Sequence, residues 1–136
     1  MKFLFIPISL LFDFITSIRN FLFDYNILKA EKFDIPIICI GNLSLGGTGK
    51  TPHVNYIIKE LSKMFNVAVI SRGYKRNNKN LLFVDYNSNV LEVGDEPLML
   101  KKKNPDTIIL VSGDRAKGIK KIINEYPKTD VIILDD

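Results

Sequence analysis

The sequence predicts an α/β domain with a mostly parallel β-sheet and helices on both faces, preceded by a separate N-terminal helix. Beyond residue 33, short apolar runs alternate with helix-like segments, which is typical of parallel strands joined by helices. A glycine-rich stretch, residues 41–51, separates the first apolar run from the first of these helices. Residues 1–34 have a different pattern, so we predict two domains, 1–34 and 35–136.

The N-terminal segment is predicted to form an amphipathic helix. From Pro7, which suits the first turn of a helix, polar residues recur at spacings of three and four and share one face: Ser9, Asp13, Thr16, Ser17, Asn20 and Asp24. A wide arc rich in Phe and Leu covers the rest of the helix.

Four interpretations of this helix compete. A membrane-spanning helix needs about 20 predominantly apolar residues, and Asp13, Arg19 and Asp24 interrupt this one. A signal peptide is disfavoured because Asp13 breaks the apolar core and no small-residue cleavage site follows. A helix lying in the membrane interface tolerates these charges and is favoured. A helix packed on its own domain remains the alternative.

The later elements follow in order along the chain. Strands are predicted at 35–40, 67–70, 81–84, 107–111 and 131–134, and helices at 52–65, from 94–97 onward, and after Arg115 to about residue 126. Ligands of parallel sheets bind outside the carboxyl ends of the strands. Four segments should therefore meet at that edge: 41–51, 71–74, 112–115 and 135–136.

Residues 41–51 have the layout of a phosphate-binding loop, strand then glycines then Lys-Thr then helix, so the fold is predicted to be P-loop NTPase-like. Glycines let backbone N–H groups surround a phosphate, and the helix N-terminus adds partial positive charge. Lys50 should reach the outer phosphates, and the Thr51 hydroxyl should ligate Mg²⁺. The predicted ATP-binding residues are Ser44, Leu45, Gly46, Gly47, Thr48, Gly49, Lys50 and Thr51.

The loop departs from the usual spacing at one position. Ser44 stands where the pattern has glycine, and Gly46 and Gly47 are expected to supply the backbone freedom instead. A glycine-rich turn that binds no ligand is the weaker alternative.

Three carboxylates have positions suited to phosphoryl transfer. Asp135 and Asp136 follow an apolar strand, the position from which a carboxylate orders Mg²⁺ and its water; a polar strand end is the plainer interpretation. Asp95 stands at a predicted helix start and could accept a proton from an alcohol. A helix-capping role for Asp95 is the alternative.

Composition sets broad limits on the partners. The chain of 136 residues has a net charge of +4, with 46% hydrophobic and 25% charged residues, which indicates a globular protein with a surface that favours anions. The charge alone does not separate nucleotide, phospholipid and nucleic acid. The lone cysteine, Cys39, is expected to be a buried thiol, and a reducing, ATP-containing compartment fits.

Together these motifs resemble the tetraacyldisaccharide 4′-kinases, the family that phosphorylates the lipid A precursor. The matching features occur in family order over almost the whole chain: the apolar N-terminal helix, residues 41–52, Ser71-Arg72-Gly73-Tyr74, residues 93–97, Asp114-Arg115 and residues 133–136. One departure is that Lys75 and Arg76 follow Tyr74, where the family usually has another glycine.

The resemblance implies an ATP- and Mg²⁺-dependent kinase at the cytoplasmic face of a Gram-negative inner membrane. Its acceptor would be the 4′-hydroxyl of a tetraacylated glucosamine disaccharide 1-phosphate, with no nucleic-acid partner. Asp95 would be the general base, acting with Lys50, and Asp135 and Asp136 would serve Mg²⁺ and the reacting phosphate. Further candidates from the matching motifs are Arg72, Tyr74, Glu96 and Arg115.

The resemblance also implies that part of the site lies elsewhere. The family pairs its catalytic aspartate with a histidine of its C-terminal half, which no residue here can replace, so residues 1–136 are expected to be the N-terminal portion of a longer protein and to lack full activity. The alternatives from the residues alone are a soluble P-loop ATPase or GTPase switch and a nucleotide-binding interaction module.

Overall fold

A computed structural model describes residues 6–25, 27–28, 30–41, 49–74, 76–77 and 80–136. The chain divides into two compact units, Met1–Phe33 and Asp34–Asp136. The first unit contains helix α1 (Ile6–Asp24). The second contains β1 (Ile37–Ile40), α2 (Lys50–Leu61), β2 (Val67–Ser71), β3 (Leu82–Phe83), α3 (Val90–Val93), α4 (Asp95–Lys103), β4 (Ile108–Val111), α5 (Arg115–Glu125) and β5 (Val131–Asp135).

The strands of the second unit form one five-stranded sheet in the order β1-β5-β2-β4-β3. The pairs β1–β5, β5–β2 and β2–β4 are parallel, and only β3 runs antiparallel, against β4. The predicted α/β class with a mostly parallel sheet is therefore confirmed.

Helices cover both faces of this sheet. On one face, Val54 and Ile58 of α2 and Leu100 of α4 pack in one apolar cluster with alternate strand residues such as Val69 and Ile109. On the other face, α5 approaches so closely that a Cβ built on Gly118 would lie 3.2 Å from the Ile70 side chain. Ile70 follows Val69 directly, and successive strand residues point to opposite faces.

Two helices differ from the prediction. α2 begins at Lys50 and ends at Leu61, so the expected extension to residue 65 is wrong. The four-residue helix α3 was not predicted, because it spans barely one turn and therefore shows no repeat of the helical pattern. It begins after Asn89, whose side chain accepts a hydrogen bond from the Leu91 N–H, and it ends at Gly94.

The expectation of a buried Cys39 is also wrong. Cys39 is exposed because β1 is the edge strand of the sheet and pairs, among the described residues, only with β5. Ile37 and Ile38 of the same strand are likewise more than a third exposed.

Helix α1 has apolar side chains exposed around most of its circumference, including Phe14, Ile18 and Phe21. One of its polar residues, Thr16, turns its hydroxyl back to the Phe12 carbonyl of its own helix. Within the part of the chain that the structure describes, no helix has both the length and the apolar content needed to cross a membrane.

Candidate active site

The carboxyl ends of the parallel strands meet at one edge of the sheet. Asp135 of β5 is in register with Ile40 of β1 on one side and with Ser71 of β2 on the other. The Ser112 N–H, just beyond β4, donates a hydrogen bond to the Ser71 carbonyl over 3.0 Å. This edge therefore collects residues from three of the four predicted segments, and Lys50, which contacts Asp135, adds the segment 41–51.

The phosphate-binding loop is described only at its end. The predicted binding residues Ser44, Leu45, Gly46, Gly47 and Thr48 lie outside the described residues. Gly49 has φ +75° and precedes the first helical residue, Lys50. This left-handed conformation, which glycine adopts at no steric cost, allows α2 to start at the sheet edge. Thr51 follows in the first turn and is half-buried.

Lys50 joins the start of α2 to the end of β5. Its Nζ lies 3.1 Å from Asp135 Oδ1 and donates a 2.7 Å hydrogen bond to the Asp136 backbone oxygen. The Lys50 side chain keeps 19% of its surface exposed, whereas the Asp135 side chain is fully buried. The ammonium is thus held beside two carboxylate-bearing residues while remaining accessible from solvent.

The two oxygens of Asp135 have different surroundings. Oδ2 accepts a 3.3 Å hydrogen bond from the Ser71 hydroxyl. Oδ1 is buried and accepts no well-aligned hydrogen bond from the described residues, so its contact with Lys50 is a charge interaction. A carboxylate oxygen has two lone pairs, so Oδ1 keeps the capacity to bind a further ligand.

Asp136 is held by two arginines. Arg115, the first residue of α5, pairs with the Asp136 carboxylate and also donates to the Ser112 carbonyl over 2.5 Å. Arg72 Nε lies 3.6 Å from the same carboxylate, and its side chain is 71% exposed. With Lys50, this edge places three cations around two carboxylates, a net charge that suits an anionic ligand.

Asp114 has a structural role beside this cluster. It is the N-cap of α5, and its carboxylate accepts a 3.1 Å hydrogen bond from the Lys117 N–H. That hydrogen bond lowers the pKa of Asp114 below its usual value. Asp114 therefore positions Arg115 by fixing the start of the helix that begins with it.

Asp95 lies in the first turn of α4 and is exposed, while Glu96 beside it is half-buried. The N-cap of α4 is Gly94, so the capping alternative for Asp95 is wrong. Gly94 contacts the Gly73 backbone, which brings the start of α4 next to the 71–74 segment. Tyr74 of that segment is exposed.

The predicted Mg²⁺ ligands fit that ion chemically. Among the described residues, no cluster of three or more His, Cys, Asp or Glu side chains is able to hold a metal. Mg²⁺, however, needs few protein ligands, because it keeps several waters and binds substrate phosphates. A buried carboxylate oxygen without a hydrogen bond at Asp135, a second carboxylate at Asp136 and the Thr51 hydroxyl form a suitable oxygen donor set.

The sequence places Ser71 and Ser112 in segments at this edge, but neither serine was predicted to have a role in the site. Ser71 binds Asp135, and the Ser112 hydroxyl donates to the Asp114 carbonyl over 2.6 Å. Their shared signal is a serine placed directly after an apolar strand. The roughly 500 Å³ surface cavity lined by Lys59, Asn66 and Lys103 lies at the opposite edge of the sheet and shares no residue with this cluster.

Comparison with known proteins matches the whole chain to one family. The family model described as "Tetraacyldisaccharide-1-P 4′-kinase" (LpxK) covers residues 1–136. A tetraacyldisaccharide 4′-kinase of Flavobacterium johnsoniae is 48% identical over 96% of this chain and 38% of its own length. One of Parabacteroides distasonis is 46% identical over 96% of this chain and 36% of its own length.

A solved structure agrees with these relatives. The "apo" form LpxK from Aquifex aeolicus, crystallised in complex with ATP, is 40% identical and superposes with a TM-score of 0.81 over 97% of this chain and 42% of that chain. This chain spans less than half the length of each of these proteins. The resemblance stated from the motifs is confirmed, and the chain belongs to the tetraacyldisaccharide-1-P 4′-kinase family.

Proposed function

We propose that this chain supplies the ATP site and the acceptor-activating carboxylate of a tetraacyldisaccharide 4′-kinase. The observation that supports this most is the position of Lys50, which starts α2 and contacts both acidic residues at the end of β5. A lysine at a helix start beside strand-end carboxylates is the arrangement that binds a nucleotide phosphate with its metal. The ATP complex of the Aquifex aeolicus relative supports ATP as the phosphate donor.

On the donor side, residues 44–51 bind the phosphates of ATP, and Lys50 neutralises charge on the transferring group. Thr51, Asp135 and Asp136 would hold Mg²⁺, which when bound would supply positive charge to the phosphates of ATP. Arg115 and Arg72 keep the Asp136 carboxylate oriented, and both contact it from the sheet edge.

On the acceptor side, Asp95 accepts the proton of the 4′-hydroxyl as that oxygen bonds to the γ-phosphorus. The bond from the γ-phosphorus to the β–γ bridging oxygen breaks, and ADP leaves. Asp95 is exposed in the first turn of α4, so an acceptor hydroxyl is able to reach it from solvent. Glu96 and Tyr74 flank this position and are proposed to contact the glycolipid.

The acyl chains of such an acceptor require access to a membrane surface. Residues 1–34 are proposed to act as a membrane-associating domain, and residues 35–136 as the nucleotide-binding domain. The exposed apolar side chains of α1 support its insertion into the interface at the cytoplasmic face of the inner membrane.

Replacing Asp95 tests this assignment. The variants are made in a full-length chain, meaning one as long as the relatives, or a hybrid in which residues 1–136 replace the matching part of the Flavobacterium johnsoniae protein. Asp95→Asn should lower kcat roughly 10²- to 10⁴-fold, the usual contribution of general-base catalysis, with the KM for ATP nearly unchanged. Glu92→Gln, an exposed acid of α3, is the matched control and should keep full activity.

The alternatives predict other outcomes for the same variant. A soluble ATPase or GTPase switch would hydrolyse nucleotide equally well in the wild type and in Asp95→Asn. A nucleotide-binding module would bind ATP and phosphorylate no acceptor in either form. Wild-type activity in Asp95→Asn would contradict the proposed base.

A further inference from the structure

Two glycine backbones pack directly against one another beside the candidate site. Gly73, in the loop after β2, has φ +65°, and Gly94, before α4, has φ +92°. A Cβ on Gly73 would lie 2.8 Å from the Val93 carbonyl oxygen, and one on Gly94 would lie 3.2 Å from Gly73 Cα. Both the backbone conformation and the lack of space require glycine at these positions.

A hydrogen bond fastens the same two segments a few residues further on. The Asn77 N–H donates to the Leu91 carbonyl of α3 over 2.8 Å. The loop after β2 is thus attached to the α3–α4 junction at two points. We call the glycine contact and this hydrogen bond together the Gly73–Gly94 brace.

Each side of the brace is connected to a different part of the site. On the β2 side, the Ser71 hydroxyl binds Asp135, and Arg72 lies 3.6 Å from Asp136. On the other side, Asp95 directly follows Gly94. A continuous series of contacts therefore runs from the strand-end carboxylates through the brace to Asp95.

We propose that the Gly73–Gly94 brace is a positioning element that sets the distance between Asp95 and the phosphate end of the site. This rests on the proposed function, in which Asp95 is the base. Added side chains would push the segments apart, since a carbon 2.8 Å from a carbonyl oxygen must move several tenths of an ångström. A misplacement of about 1 Å can cost roughly 10²-fold in rate.

Alanine at each glycine tests the proposal. In the full-length chain, Gly73→Ala and Gly94→Ala should lower kcat about 10- to 100-fold and leave the KM for ATP within about twofold. The matched control is Ser62→Ala, an exposed position with helical backbone at the C-terminal end of α2, away from the candidate site. Its kcat should stay within about twofold of wild type, since surface changes away from packed features have small effects.

A double variant separates positioning from a general loss of structure. If the brace acts through Asp95, adding Gly94→Ala to Asp95→Asn should lower kcat by less than about twofold, because coupled residues are not additive. If the fold-losses in kcat of the two single variants multiply in the double variant, the proposal is overturned. An inactive Asp95→Asn with a fully active Gly94→Ala would overturn the brace and leave the proposed base intact, whereas an active Asp95→Asn would overturn the base itself.

A third variant, Asn77→Pro, tests the brace if the two alanine variants do not fold. Asn77→Pro removes the N–H that binds the Leu91 carbonyl and inserts nothing between the glycines. It should lower kcat about three- to tenfold, equivalent to one hydrogen bond, and should again add little to Asp95→Asn. Unchanged kcat in a folded Asn77→Pro protein would overturn the proposal.

Discussion

At the residue scale, Lys50 has one role in the structure and a second role in the proposed kinase, and both would use the same ammonium group. Its ammonium compensates the buried Asp135 carboxylate at 3.1 Å, and in the proposed kinase the same charge must serve the phosphates of ATP. Its 19% exposure and its hydrogen bond to the Asp136 backbone leave it anchored yet accessible. Loss of Lys50 should therefore affect both stability and transfer.

We predict that Lys50→Ala in the full-length chain lowers kcat roughly 10²-fold or more, as for loss of one preorganised electrostatic contact. Stability should fall by about 1–3 kcal/mol, because a buried carboxylate loses its partner. Steady-state kinetics and urea unfolding measure the two effects. Lys63→Ala is the matched control, since its exposed pair with Glu60 should contribute at most about 1 kcal/mol. Near-normal turnover of Lys50→Ala would contradict the phosphate-loop assignment.

Asp114 gives a pH-dependent prediction. The Lys117 N–H lowers its pKa in the folded state, so its stabilising effect is present above the unfolded pKa of about 3.9. That effect is lost as the pH falls through the lower, folded value. Asp114→Asn retains a capping oxygen but cannot titrate.

Urea midpoints of this chain and of Asp114→Asn at pH 7, 4 and 3 provide the measurement. The natural chain should be the more stable of the two at pH 7, and the difference should shrink as the pH falls below about 4. A difference that stays constant across this range would contradict the role given to the Asp114 charge.

Site residues were predictable from sequence only where they belong to a motif with a known position relative to a strand or helix. Lys50 and Asp135 were predicted together because strand-end carboxylates and a helix-start lysine meet at one edge of a parallel sheet. The brace was not predictable, because the contact of Gly73 with Gly94 depends on how two distant segments pack. The N-cap of α4 was likewise not predictable from sequence. It is Gly94 and not Asp95 because of the backbone conformation there, with Gly94 at φ +92°.

At the scale of elements, the strands were predicted best because buried apolar runs between helices have few other interpretations. β2, β4 and β5 begin and end within one residue of their predicted limits. Edge elements were predicted less well. β1 begins at residue 37, two residues after its predicted start, and it is exposed, since a strand with one neighbour has weaker constraints on burial. β3 lies within one residue of its predicted limits but keeps only two of the four predicted residues.

Helix α1 provides the element-scale prediction. Phe14, Ile18 and Phe21 lie at spacings of four and three on one helical face and are exposed. Each large apolar side chain gains up to roughly 1.5–3 kcal/mol on full burial and less at an interface. Changing all three to Ser should release the full-length chain from liposomes in a flotation assay and raise the apparent KM for dispersed lipid, with ATP affinity unchanged.

The matched control changes three exposed apolar residues of the other unit, Tyr56, Met64 and Tyr86, to Ser. That variant should float like wild type, and high salt should release wild type only partly, because screening acts on charge. A triple α1 variant that stays folded and membrane-bound would contradict the interfacial role.

At the scale of the molecule, this chain is proposed to contribute residues to both sides of the transfer, and the phosphate-binding residues 44–48 lie outside the described part. Lys50, Asp135 and Asp136 lie on the donor side, and Asp95 lies on the acceptor side, linked through the Gly73–Gly94 brace. The chain spans 38% of its Flavobacterium johnsoniae relative, so transfer has to be measured on a full-length chain.

The most direct measurement is a transfer assay in which the full-length chain is incubated with γ-labelled ATP, Mg²⁺ and a tetraacyldisaccharide 1-phosphate. The labelled lipid and the ADP formed are then measured over time. We predict that label appears at the 4′-oxygen of the lipid in step with ADP formation. Transfer should stop when EDTA removes the Mg²⁺, and little ADP should form without lipid. ADP released at the same rate with and without lipid, and no labelled lipid, would contradict the account and favour a nucleotide switch.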